Sequence, residues 1–456
     1  MKNASSVRRD LTTGPVAKTM LLFSLPLIAG DMLQQLYNVA DTLIVGRFLG
    51  AAALGAVGSA YTLMTFLTSI LLGLALGSGA VFSMEWGRRD LEELRRSVFS
   101  SFCLIALITA ALTAFSFAFL DGILRFLQVP AENYALMRAY LWVIFLGIPA
   151  TFLYNFFACL VRAVGDSAAP LAFLGLSAAV NIALDLWFVV GLNWGVEGAA
   201  AATVIAQYLS GGAMAAYTAL RWPQLLPGRR QWSLGRENLA RIARFSLLTC
   251  AQQSVMNFGI LLVQGRVNSF GPAVMAAFAA GVKIDAFAYL PVQDFGNAFS
   301  TFVAQNYGAN KPDRIRRGIA AAAGCAAGFS AVVSGVVFLF ARPLMGIFVE
   351  ASETEILDIG VQYLRIEGAF YPAIGCLFLF YGLYRAVGIP SMSMVLTVIS
   401  LGTRVALAYS LSALPLFGVA GIWWSVPIGW LLADAVGLVY WLVRRRSIEA
   451  NLVPGQ

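Results

Sequence analysis

Arg162-Ala163-Val164-Gly165 and Arg385-Ala386-Val387-Gly388 are the same four residues, each thirteen positions after a proline, Pro149 or Pro372, in an apolar stretch. The offset of 223 residues (385 − 162) also carries Tyr140-Leu141 onto Tyr363-Leu364, and Gly195-Val196 with Gly198 onto Gly418-Val419 with Gly421. With small slips, Gly87 before Leu94-Arg95-Arg96 matches Gly308 before Ile315-Arg316-Arg317, and Gln34-Gln35 matches Gln252-Gln253. The chain is therefore built from two similar halves, an arrangement that places function at the seam between repeats.

Composition says what medium the halves occupy. Of 456 residues, 59% are hydrophobic and 12% charged, about half the charge of a soluble domain. So few charges cannot cover a soluble surface, and the chain reads as an integral membrane protein. Its net charge of +8 is not spread as a nucleic-acid face requires, and no nucleic-acid partner is expected. The five cysteines sit inside apolar segments without CxxC or CxxH spacing, which suits packing rather than a disulfide framework or zinc site. Histidine is absent, so proton chemistry must run on carboxylates. No cofactor or resident metal is implied beyond a coupling ion.

Apolar runs long enough to cross about 30 Å of hydrocarbon fall near 18–46, 53–82, 96–119, 136–160, 170–191, 196–220, 242–268, 273–304, 318–341, 360–384, 391–414 and 418–443. The fold expected is all-α, with twelve transmembrane helices in two six-helix bundles. Six spans per half give a parallel repeat, with a central cavity between the bundles. The domains read as an N-lobe over 1–220, a cytoplasmic linker over 221–241 and a C-lobe over 242–456. Of 31 Lys and Arg, 23 fall on the side holding the termini, among them Lys2, Arg8 and Arg9, which places both termini in the cytoplasm of a plasma-membrane protein. In the linker, Trp222, Leu225, Leu226, Trp232, Leu234 and Leu239 alternate with arginines. That pattern suits a segment lying on the inner leaflet, or an ordinary solvated loop.

Polar residues inside the spans carry the functional reading, since a charge at the bilayer centre costs about 2.5–3.5 kcal/mol on insertion scales. Asp31, Gln34, Asn38 and Asp41 step by three, four and three down one face of the first span. Ser177, Asn181 and Asp185 make a second stripe in the fifth, within reach of Asn155 and Thr203. Such hard oxygen ligands suit a proton shared by Asp41 and Asp185, or a sodium ion. Interhelical hydrogen bonding is the plainer role, favoured for Asn155 and Thr203 alone; carboxylates make poor glue.

The second half departs from the copy: Asn181 becomes Arg404 and Asp185 becomes Ala408. Its charges are Lys283, Asp285, Asp294, Arg365, Glu367 and Asp434, and structural pairing across helices is the expectation for them. Cation coupling thus belongs to the first half. Pro26, Pro149 and Pro372 lie inside spans, where they free a carbonyl and bend the helix, as hinges would require.

The run Asp41-Thr42-Leu43-Ile44-Val45-Gly46-Arg47-Phe48-Leu49-Gly50, continuing through Leu54 to Ala60, resembles the first-helix signature of the MATE (multidrug and toxic compound extrusion) transporters. Val303-Ala304-Gln305-Asn306-Tyr307-Gly308-Ala309 and both Arg-Ala-Val-Gly segments resemble that family too, over about residues 15–445. The resemblance implies a two-lobed, twelve-helix antiporter that expels bulky, often cationic organic compounds in exchange for H+ or Na+. In the DinF/MepA-like branch the cation site is a first-helix Asp, a fifth-helix Asn-x-x-x-Asp and a sixth-helix Thr; these positions here are Asp41, Asn181, Asp185 and Thr203, with Asn155 in the same neighbourhood. The NorM-like branch adds a seventh-helix Glu, where this chain has Gln252, Gln253 and Asn257, so that C-lobe site is not carried over.

Substrate contacts are expected from Gln34, Tyr37, Asn38, Tyr154, Gln253, Met256 and Asn257, in a wall mostly aromatic and aliphatic. The partners are small organic cations and the lipid bilayer, and the protein acts as a monomer. The alternative is a flippase for a lipid-linked or anionic intermediate on the same two-lobed plan. It needs a basic cavity, for which Lys283, Arg365 and Arg404 are the in-span candidates. A polytopic enzyme is disfavoured: there is no histidine, no HExxH and no pair of carboxylates in a loop.

Overall fold

The structure, a computed structural model, describes residues 10–126, 129 and 131–450. Lys2, Arg8 and Arg9 of the orientation count, and the ends of the two lobe ranges at 1–9 and 451–456, lie outside the described residues. A bilayer offers backbone amides no partners, so a spanning segment must satisfy its hydrogen bonds internally. The apolar runs answer as helices: α1 (Val16–Gly50), α2 (Ala52–Arg88), α3 (Leu91–Ala118), α4 (Asn133–Ala163), α5 (Ala168–Gly191) and α6 (Gly195–Arg221). The second half gives α7 (Arg236–Asn268), α8 (Pro272–Gly308), α9 (Pro312–Leu339), α11 (Pro390–Ser412) and α12 (Ala420–Arg445). Between them α10 is a broken span, Thr354–Gly368 and Tyr371–Ala386, bent by 50°. Eleven unbroken helices and one bent pair among the described residues make the twelve spans expected.

The turns repeat as faithfully as the helices. Left-handed backbone occurs at Gly50 and Gly271, Arg89 and Asn310, Gly165 and Gly388, and Gly195 and Gly418, which are matched positions of the two halves. After α2, α4, α8 and α10 the chain closes on the same bond from C″ back to C3: Asp90 to Glu85 (3.1 Å), Asp166 to Val161 (3.2 Å), Lys311 to Asn306 (3.0 Å) and Ile389 to Tyr384 (2.8 Å). That closure needs one residue at positive φ, and in both Arg-Ala-Val-Gly segments the glycine supplies it. The duplicated motif is thus a duplicated helix stop.

The prolines divide into two kinds. Pro372 stands in the first turn of the second half of α10, just past its break. Pro149 occupies the same place in α4, after a 3₁₀ turn over Phe145–Gly147. Pro26 lies within the continuous helix of α1.

By packing, the chain forms two compact units. The first holds Leu25–Cys250 and so includes the opening turns of α7; the second holds Leu11–Ser24 and Ala251–Gln456. In the first unit, Gly73 and Gly77 bring α2 against α7 so closely that a Cβ would sit 2.6 Å from Cys250 Cα and 2.4 Å from Phe245 O. The linker joins this unit as well. Trp222 and Leu225 are buried, Arg95 Nε donates to the Gln224 carbonyl (2.7 Å) and Gln231 Nε2 to Glu92 (2.9 Å). Trp232 and Leu234 remain exposed. The second unit packs around Phe278, Tyr363, Tyr371, Tyr384 and Trp423.

Candidate ion-coupling site

Asp41 lies on α1 nine residues before its kink at Gly50, in the part that packs on α5 through Leu33 against Gly175. Asp185 is the last residue of regular α-helix in α5, which continues as a wider π turn over Leu186–Gly191. Such turns rotate the following side chains and recur at functional sites.

These placements bring the carboxyl groups of Asp41 and Asp185 within hydrogen-bond reach of each other. Asp185 is fully buried, and neither of its oxygens nor Asp41 Oδ1 meets a donor. One turn earlier on α5, Asn181 is buried; its Nδ2 donates to Thr203 Oγ1 (3.3 Å) and its Oδ1 has no partner. Thr203 Oγ1 donates to the Ala199 carbonyl (3.1 Å). The arrangement offers acceptor oxygens with no donor to match. A proton on one carboxyl would be shared with the other; a sodium ion would find Asp41, Asp185 and Asn181 oxygens as hard ligands.

Asn155 turns back on its own helix, donating Nδ2 to the Thr151 carbonyl (2.9 Å). Ser177 Oγ donates to the Ala206 carbonyl (2.8 Å), tying α5 to α6. Tyr140 was not among the expected site residues, yet it is buried and close enough for its hydroxyl to feel both carboxyls. Its repetition as Tyr363 was the sequence signal that could have singled it out.

The expected substrate contacts fall into two groups. In the first unit, the Gln34 side chain reaches the Tyr37 hydroxyl, Asn38 Nδ2 donates to Tyr61 (3.4 Å) and the Tyr154 hydroxyl to the Pro170 carbonyl (3.1 Å). In the second, Asn257 Nδ2 donates to the Gln253 carbonyl (3.0 Å) and Met256 packs on the core. The in-span cations of the second unit differ from expectation. Lys283 lies over the Phe348 ring (5.8 Å) and Arg365 over Phe338 (5.6 Å). Their sequence neighbours Asp285 and Glu367 turn elsewhere, because residues two apart on a helix face different ways.

Twelve spans in duplicated halves, with acids facing each other inside the helix bundles, define a multi-pass membrane carrier. The MatE family model matches residues 26–187 and again 246–410, and the chain belongs to that family of multidrug-efflux transporters; it is not an enzyme. It is similar to the probable multidrug resistance protein YpnP of Bacillus subtilis (strain 168), 29% identical over 95% of this chain and 96% of that one. It is 25% identical to the multidrug export protein MepA of Staphylococcus aureus (strain NCTC 8325 / PS 47), over 95% of both. It is also 24% identical to an FAD transporter of Shewanella oneidensis, over 97% of both. A crystal structure of MATE in the bent conformation superposes with TM-score 0.90 at 23% identity, over 97% of this chain and 98% of the other.

Proposed function

We propose that this transporter is a secondary antiporter that exports organic compounds, often cationic, by alternating access in exchange for H+ or Na+. The observation that carries this reading is the pair of facing carboxyls, half-buried Asp41 and fully buried Asp185, in an apolar helix bundle, with neither Asp185 oxygen nor Asp41 Oδ1 holding a hydrogen-bond partner. Structural glue would use a donor and an acceptor; two acceptors need an exchangeable cation. Direct carboxyl–carboxyl approach suits a proton best, and sodium is the outcome the test must separate.

Loading Asp41 and Asp185 from outside would neutralise α1 against α5 and let α1 rearrange about Pro26, with Pro149 and Pro372 as the paired bends. Of the proposed substrate contacts, Gln34, Tyr37, Asn38 and Tyr154 belong to the first unit and Gln253, Met256 and Asn257 to the second. The protein acts as a monomer in the plasma membrane with both termini cytoplasmic.

An anionic or lipid-linked substrate is the second reading, which similarity to an FAD transporter keeps in view. It is the weaker one, because Lys283 and Arg365 lie over aromatic rings. Efflux of a fluorescent organic cation from proteoliposomes under separate proton and sodium gradients tests both. Flux under one gradient supports antiport and names the ion; no flux under either moves the substrate to the anionic class.

A further inference from the structure

The segment joining α6 to α7 bears a surface that the transport chemistry leaves unused. Residues 221–244 hold six arginines and one acid, Glu237. Arg241 reaches inward to Glu85 and Glu93, whereas Arg221, Arg229, Arg230, Arg236 and Arg244 are exposed. Among the exposed arginines stand two large apolar side chains, Trp232 and Leu234, 61% and 55% exposed. The linker is thus two-sided: Trp222 and Leu225 are packed away, and a mixed apolar and basic side is left uncovered.

The packing of Trp232 fixes the depth of that side. Its ring runs parallel to Phe99 of α3, with centroids 6.2 Å apart and 8° between the planes. Its Nε1 donates to the Pro227 carbonyl (3.4 Å). α3 has 28 residues and is about 42 Å long, so about 6 Å, or about four residues, clears a hydrocarbon core of about 30 Å at each end. Phe99 is the ninth residue of α3, and no charge follows Arg96 in that helix. An indole lying against Phe99 therefore stands beside the bilayer at the level where headgroups begin, a zone that tryptophan favours.

The stretch that carries it is held in place. Gln231, between Arg230 and Trp232, is buried and donates Nε2 to Glu92 (2.9 Å). Asn238 donates Nδ2 to Glu93 (3.0 Å) and to Ser97 (2.8 Å). Arg229, Arg230 and Trp232 are consequently presented from a platform fixed to α3, and the arginines make no ion pair among the described residues.

We propose that Arg229, Arg230 and Trp232 form a binding site for an anionic phospholipid. The two guanidinium groups take the headgroup phosphate, whose oxygens match their paired N–H donors, and the acyl chains lie along Trp232, Leu234 and Phe99. Charge selects the occupant. Each arginine near an anionic lipid surface favours binding by about fivefold, while a zwitterionic headgroup brings its own cation to the arginines and gains less. The site involves neither the coupling ion nor the transported compound, so it stands or falls apart from the antiport reading.

The test reconstitutes the full chain in phosphatidylcholine vesicles in which about one lipid in five carries bromine on its acyl chains, as either phosphatidylglycerol or phosphatidylcholine. Bromine quenches tryptophan fluorescence on contact, and subtracting Trp232→Phe from the wild type isolates the Trp232 signal. We expect that signal to report association with phosphatidylglycerol at least about fivefold tighter than with phosphatidylcholine, and the preference to vanish in Arg229→Gln/Arg230→Gln. Equal quenching by the two lipids overturns the headgroup selection. Absence of quenching by either places the indole in water or under another protein and overturns the site. A preference that survives the double substitution overturns the assignment of the two arginines. The thermal midpoint in detergent is the second measurement: phosphatidylglycerol should raise it above phosphatidylcholine in the wild type and not in the double variant. Equal midpoints in the wild type would count against the site even if a variant failed to fold.

Discussion

Asp41 and Asp185 approach within hydrogen-bond reach of each other across α1 and α5, and neither Asp185 oxygen nor Asp41 Oδ1 has a hydrogen-bond partner. Two acceptors in contact inside an apolar bundle are stable only with a proton or cation between them.

Neutralising one acid should uncouple transport without unfolding the protein. In Asp185→Asn we expect gradient-driven efflux to fall at least about tenfold, a barrier increase of about 1.4 kcal/mol. The thermal midpoint in detergent should hold or rise, because an amide can donate to Asp41 where a carboxylate could not. Efflux at the wild-type rate would remove Asp185 from the mechanism.

The second prediction concerns Arg241. Its guanidinium, on α7, reaches Glu85, which is 1% exposed, and also Glu93 at 3.0 Å. Arg241→Gln strands the Glu85 charge and should cost roughly 3–5 kcal/mol. Adding Glu85→Gln should restore most of it, since the stranded charge is then gone. Thermal unfolding of the two variants supplies the comparison, and a double variant no more stable than the single one would refute the pairing.

Glycine spacing between α2 and α7 can be tested against open helix. Gly73→Ala and Gly77→Ala push a methyl into the backbone of α7 and should lose about 1–3 kcal/mol. Gly324→Ala on α9 meets open space and should gain up to about 1 kcal/mol from helix propensity. Equal effects at all three positions would show that packing does not set the α2–α7 distance.

Gly165→Ala and Gly388→Ala examine the duplicated helix stop. Both residues hold left-handed backbone, at φ 94° and 88°, where a side chain costs roughly 1–2 kcal/mol. We expect matched losses in thermal unfolding. Tolerance of alanine at either position would mean that the turn does not require its glycine.

The sequence disclosed the repeat, the twelve spans and the acids of the first site for one reason: each leaves a periodic or chemically costly trace along the chain. Asp41 and Asp185 stand out because lipid penalises them, and the stripes point them inward. Asp285, Glu367 and Arg404 leave the same costly trace, but nothing along the chain shows that they gather with Tyr363 and Tyr371. The neighbours Lys283 and Arg365 suggest ion pairs along the chain, whereas their side chains lie over the Phe348 and Phe338 rings. Arg241 was equally obscure. It reads as one more basic residue near the membrane surface until α7 folds back against Glu85. Contacts between residues distant in the chain carry no local period, and only the folded structure reveals them.

The most direct test of the account is efflux of a fluorescent organic cation from proteoliposomes, wild type against Asp41→Asn, under an imposed proton or sodium gradient. The account predicts flux driven by one of the two gradients in the wild type and lost in Asp41→Asn, with the variant still folded. Equal gradient-driven flux in both proteins would contradict it, because the facing carboxyls would then have no part in coupling.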